Sequence, residues 1–109
     1  MHAPTQPLPT GEDVAAYLSL GDDPTAVAQA EVHAGVVAAL AAGYTRDVGF
    51  DHDLTTPDLA AVITTAAARM LSNPEQVDST VGSVNVRGGF QGWSLAELIV
   101  LNRYRRRAL

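Results

Sequence analysis

The side chains able to do acid–base or covalent chemistry are sparse in this 109-residue chain and stand far apart. No cysteine is present, which removes thiolate nucleophiles, disulfides and sulfur-ligated metals together. The three histidines, His2, His33 and His52, are scattered, and a lone His33 within a helix reads as a surface or interface residue. Asp51-His52-Asp53 brings two carboxylates beside an imidazole, yet it lacks the spaced carboxylates and closing glutamate of a calcium loop. Covalent catalysis needs a nucleophile, a base within hydrogen-bond reach and a group to orient that base. Here the serines and threonines fall where helices should begin, and none sits in a glycine-flanked elbow. Neither a phosphate-cradling P-loop nor a dinucleotide fingerprint occurs. The sequence therefore predicts a non-enzyme with no catalytic, metal-binding or cofactor-binding residues.

One cluster does stand out: Arg103-Tyr104-Arg105-Arg106-Arg107. The net charge is −5, but the halves differ in sign. Residues 1–78 carry eleven acidic groups against two arginines, Arg46 and Arg69, while residues 79–109 carry five arginines against Glu97 alone. Such asymmetry points to two surfaces with different partners. The arginines suit an acidic partner, either protein or nucleic acid, although a solvated helix end has the same composition. Phosphate contacts would give a salt-dependent, sequence-blind affinity. The acidic body would repel a duplex laid across it, and the helix opening at Asp23-Pro24 presents Gln29, Glu31 and His33, which are poor grips for phosphate. Arg87-Gly88-Gly89-Phe90 is a single RGG element, better read as a turn.

Four helices should position these groups. Length fits one domain, and apolar residues reach 47%, enough for one core packed from small side chains. Residues 1–9, with three prolines, are expected as a flexible extended tail apart from the core. Residues 10–109 then form a single helical domain. Thr10 caps a first helix with Glu12 and Asp13 in its opening turn and Val14, Tyr17 and Leu18 as its apolar stripe, stopping near Leu20-Gly21. Asp23-Pro24 opens a second helix to about Ala42-Gly43, its stripe running through Val27, Ala30, Ala34, Val37, Ala38 and Ala41 and widened by Val36 and Leu40. That helix has too few polar residues for a free surface element, so it is central or packs on neighbouring subunits as well. A polar loop from Tyr44 to Thr56 is expected to be anchored by Phe50. Thr56-Pro57-Asp58 opens the third helix, with Leu59, Val62, Ile63, Ala66, Ala67 and Met70 inward, and Asn73-Pro74 ends it.

Residues 79–93 change character. Val81, Val84 and Val86 lie among glycines with partial alternation, predicting a β-hairpin or extended arm that must lean on another surface. Ser94 and Glu97 then form a capping box for a C-terminal helix over residues 94–107, with Leu95, Leu98, Ile99 and Leu101 before its basic end. No apolar run comes near the about 18 residues of a membrane span, and the first residues lack signal-peptide character, so manufacture in the cytoplasm is expected.

The run Arg87-Gly88-Gly89-Phe90-Gln91-Gly92-Trp93-Ser94-Leu95-Ala96-Glu97-Leu98, continued by Leu101-Asn102-Arg103-Tyr104-Arg105-Arg106, resembles the head-to-tail adaptor (connector) proteins of long-tailed phages of high-GC hosts. Pro9-Thr10-Gly11-Glu12-Asp13-Val14, Val48-Gly49-Phe50, Leu59-Ala60-Ala61-Val62-Ile63 and Ala66-Ala67-Ala68-Arg69 agree with it in order, so the likeness spans nearly the whole chain. The resemblance implies a mainly α bundle with a small β arm, assembled in the virion neck as a homo-oligomeric, dodecameric ring. Double-stranded DNA passes through such a ring without specific binding. It further implies that Arg103, Tyr104, Arg105, Arg106 and Arg107 bind the portal protein. The arm, through Val84, Val86, Arg87, Phe90 and Trp93, would touch neighbouring copies, and a stopper or tail-completion protein would follow below. Two other readings stay open: a small nucleic-acid-binding protein using the same arginines, and another neck subunit. Removal of residues 103–109 is expected to leave the fold intact and abolish portal binding.

Overall fold

The computed structural model describes residues 3–72 and 92–105. Among these residues the fold is mainly α: four helices with one small antiparallel three-stranded sheet. Helix α1, Gly11–Tyr17, starts as expected at Thr10. The Asp13 N–H donates to Thr10 Oγ1 at 3.1 Å while the Thr10 N–H donates to Asp13 Oδ2 at 2.9 Å, so two otherwise orphaned donors satisfy each other. The helix stops earlier than the glycine suggested. Ser19 takes the left-handed turn (φ 63°), and the Leu20 N–H closes on Ala15 O at 2.7 Å. With the stop moved forward, Tyr17 leaves the expected stripe and is 61% exposed, and Ala15 is buried beside Val14.

Helix α2, Pro24–Thr45, is capped by the Asp23 carboxylate, which accepts from the Thr25 and Ala26 N–H groups. It runs through Gly43 rather than ending there, because Thr45 is fully buried and Tyr44 packs on the core; Arg46 makes the left-handed cap instead (φ 57°). Twenty-two residues with Glu31 as the sole charge make α2 long and apolar enough to cross a membrane by length and composition, contrary to the expectation that no run approached this. In the fold it is the central helix. Ala26, Ala30, Ala34, Val37 and Ala41 are buried, and α1 and α3 both pack on it. Gly11 permits the closest approach: a Cβ there would lie 2.5 Å from Val27 O and 2.8 Å from Glu31 N. Its N–H instead donates to Glu31 Oε1 at 2.6 Å.

The N-terminal segment does not stand apart from the core. Strand β1, Gln6–Pro7, pairs with β3, Leu54–Thr55, which also pairs with β2, Phe50–Asp51. The Leu8 N–H donates to Asp53 O at 3.0 Å, and the Leu8 side chain packs on the core. Proline rules out helix here, yet an edge strand tolerates it. The polar loop after α2 is thus a tight hairpin turning at His52 (φ 56°), and Phe50 does anchor it to the core. The arm expected over residues 79–93 lies outside the described residues apart from Gly92 and Trp93, which have no regular structure.

Helix α3, Pro57–Ser72, buries Leu59, Val62, Ile63, Ala66 and Ala67 as its pattern required. Helix α4, Leu95–Tyr104, has the expected capping box but ends at Tyr104, with Arg105 extended (ψ 123°), rather than continuing to residue 107. Its apolar residues divide: Leu101 is buried, whereas Leu95 and Ile99 face outward.

Candidate docking surfaces

Two polar clusters fix α4 against α3, one at each end. At its start Glu97 is 4% exposed and receives both Arg69 nitrogens, Nη1 to Oε2 at 3.0 Å and Nη2 to Oε1 at 2.8 Å. Thr65 Oγ1 donates to the same carboxylate, and the Ser94 N–H donates to it at 2.8 Å. One side chain therefore completes a helix cap and an interhelical, bidentate ion pair. Burial alone would raise its pKa; the hydrogen bonds from Arg69, Thr65 and Ser94 outweigh this and hold it below the usual glutamate range. The spare reach of Arg69 ends on Gly92 O at 3.2 Å, which ties down the chain entering α4.

At the other end the Tyr104 phenol lies 2.7 and 2.9 Å from the two Asp58 oxygens, to which it donates. Thr56 Oγ1 and the Leu59 N–H donate to the same carboxylate at 2.7 and 3.0 Å. Burial opposes ionisation of Asp58, but these donors prevail and lower its pKa. Burial, together with the neighbouring carboxylate, pushes the Tyr104 phenol up. The ring of Tyr104 also closes over Gly49, where a Cβ would fall 3.1 Å from Tyr104 Cδ1 and 2.5 Å from Leu59 Cδ1; φ there is +89°, open to glycine.

The five residues expected to face a portal thus separate. Tyr104, 2% exposed, is part of the core and offers no docking surface. Arg103 has a 61% exposed side chain and only a loose contact, Nη1 to Asp58 Oδ2 at 3.6 Å. Arg105 lies over the Tyr44 ring, Cζ 4.9 Å from its centroid, while the Tyr44 hydroxyl donates to Asn102 Oδ1 at 2.6 Å. Arg106 and Arg107 lie outside the described residues, as do Val84, Val86, Arg87 and Phe90 of the expected arm; Trp93 packs partly buried on the core. Because Tyr104 is a core residue, a deletion starting at Arg103 would unfasten α4. Only a change from Arg105 onward spares the fold. The Asp58–Tyr104 and Arg69–Glu97 links were not visible in the sequence, since neither pair is joined by local spacing.

A third feature is apolar. Val32, Val36 and Leu40 form one outward row along α2, exposed by 64, 44 and 43%. Leu95 and Ile99, exposed by 76 and 55%, form a second row on α4. Beside the α2 row runs a groove of about 600 Å3 with Gly35, Ala39 and Ala42 on its floor. A smaller hollow of about 360 Å3 near Tyr17 and Thr64 has Asp13 as its one carboxylate among the described residues. Among the described residues, no three His, Cys, Asp or Glu side chains gather at metal-binding range. Comparison with family models, curated protein sequences and solved structures returns no match to this chain.

Proposed function

We propose that the chain is a structural subunit of the neck of a long-tailed phage virion, a head-to-tail adaptor that assembles as a ring between portal and tail around the DNA channel. The observation that carries this reading is the surplus of outward apolar side chains on α2 and α4 of so small a domain. Monomeric soluble proteins seldom align such residues in rows, whereas subunits of assemblies do. The likeness to adaptor proteins in the glycine-rich run and arginine-ended helix supports the same reading. A basic chain end on an acidic body suits it too: the arginines meet an acidic protein face, and the body repels the duplex passing by. Each exposed ion pair is worth only about 0–1 kcal/mol, but a ring engages many at once.

The test is co-sedimentation with purified portal rings of the encoding phage. Wild-type protein should bind. A variant carrying Arg105→Glu, Arg106→Glu and Arg107→Glu keeps Tyr104 in place and should bind at least ten-fold more weakly. Equal binding by both proteins, or binding by neither, would overturn the docking role. Micromolar duplex binding with a steep salt slope, without portal binding, would establish the nucleic-acid reading instead.

A further inference from the structure

We infer that the outward row of α4 on one copy, Leu95 and Ile99 followed by Arg103, lies in the α2 groove of the next copy, so that the chain assembles head to tail. The inference rests on the ring-subunit reading and names the two surfaces that make the ring.

The groove is built for a close-packed helix. Gly35 and Ala39 line it, Gly43 follows at the same four-residue spacing just beyond the lining, and among the described residues a Cβ added at Gly35 or Gly43 would meet nothing within 4 Å. Glycine inside a helix destabilises it by about 1 kcal/mol relative to alanine. Among the described residues, no contact uses the space these two glycines leave. Small residues at this spacing let a second helix approach closely, its ridge entering the groove. Leu8 and Phe50 supply one apolar wall, the row Val32, Val36 and Leu40 stands on the other side, and Asp47 lies in the groove lining.

The occupant is argued from the chain's own surface. Leu95, Ile99 and Arg103 stand four residues apart and span about 12 Å of helix, the same length as Gly35 to Gly43. With the two helices parallel, Leu95 falls beside Gly35 and Ile99 beside Ala39. Arg103 then arrives at Gly43, near the end of α2 where the chain turns through Arg46 into Asp47. Arg103 is exposed and only loosely held at 3.6 Å from Asp58, so it can reach an acid at either end of the groove, Asp47 in this direction and Glu31 in the reverse, and Ile99 meets Ala39 in both. Ridge and groove are different patches on one chain, so the contact is heterologous and repeats from copy to copy, closing as a ring where the rotation allows.

The absence of native cysteine makes the contact directly testable. Ile99→Cys protein and Ala39→Cys protein, oxidised together at high concentration without portal, should form a mixed disulfide dimer, and the double variant should give a ladder of oligomers. Gly35→Leu fills the groove from an open position. Added to the double variant it should remove the ladder at least ten-fold while thermal unfolding stays unchanged or shifts upward. Disulfides formed by Ala39→Cys alone at equal yield, or no cross-link in the mixture, would overturn the assignment. Portal binding by a protein that fails to cross-link would place the error in this interface and leave the neck role standing.

Discussion

Helices α2 and α3 look alike in the sequence and behave differently in the fold. Both are rich in alanine, and both open with proline beside an aspartate. Helix α3 turns its large side chains inward, Leu59, Val62 and Ile63 among them, and its polar Asp58, Thr65 and Arg69 all bond to α4. Helix α2 does the reverse. It buries mostly methyl groups, at Ala26, Ala30, Ala34 and Ala41, and turns Val32, Val36 and Leu40 outward. Small buried residues let α1 and α3 sit close to α2. The large outward ones lie outside the core that the described residues form. The difference separates a helix that holds the domain together from one that, on the proposed ring reading, also serves a neighbour.

The strongest way to break that contrast is to truncate each helix's large residues. Leu59→Ala removes a fully buried core side chain that lies against Gly49, and should destabilise by about 3 kcal/mol, within the usual range for leucine in a core. Chemical denaturation measures it, and a loss no greater than that of an exposed residue would undo the role given to α3.

Next in size is Glu97→Gln, at about 2 kcal/mol, since a buried bidentate partner of Arg69 loses its charge while Arg69 stays partly solvated. The pH dependence follows with a definite sign. Glu97 has a lowered pKa in the fold, so it contributes fully above its unfolded value of about 4.3. That contribution is lost as pH falls through the lower folded value, because protonation breaks the pair. Wild-type melting temperature should therefore decline more steeply below about pH 4.5 than that of Glu97→Gln. Asp58, shifted the same way, contributes in both proteins and leaves a residual slope. Parallel pH profiles would show that the pair adds nothing.

What could be read in advance follows from how local each signal is. Caps are short-range, and Thr10, Asp23 and Ser94 with Glu97 were all legible because a cap needs only its next few residues. The inward face of α3 was legible because its polar and apolar residues alternate at helical period. Alanine and glycine throughout α2 blurred the same signal, so Val36 and Leu40 were assigned to a wider stripe that the fold leaves outside. The hairpin at residues 50–55 and its pairing with Gln6–Pro7 were missed because two-residue strands carry no periodicity. Tyr104 is disguised by its neighbours: amid arginines it has the look of a surface residue, yet its hydroxyl reaches the distant Asp58 carboxylate. The candidate site was legible in composition, as a basic end and an apolar helix, but not in geometry.

Glycines sharpen the comparison at a smaller scale. Gly49→Ala is strained twice, by a Cβ 2.5 Å from Leu59 Cδ1 and by its positive φ, and should destabilise, whereas Gly35→Ala meets nothing among the described residues. In an exposed helix interior the second change should stabilise by about 0.5–1 kcal/mol through the lost chain entropy of glycine. A destabilised Gly35→Ala would mean that some part of this chain already uses the open space.

The smallest effect on folding is expected from Val36→Ala, and there the contrast is most exposed to refutation. Valine is a weaker helix former than alanine, so the exchange recovers a few tenths of a kcal/mol of propensity. Against that, a half-exposed side chain with no core behind it loses little burial. The two nearly cancel, and stability should move by less than about 0.5 kcal/mol. Assembly should move further, because Val36 stands next to Gly35 of the groove assigned to the neighbouring copy. A residue silent in denaturation and audible in oligomer formation is the signature of a surface kept for a partner. If Val36→Ala instead unfolds the domain while leaving association alone, the outward row belongs to the core and α2 is no different in kind from α3.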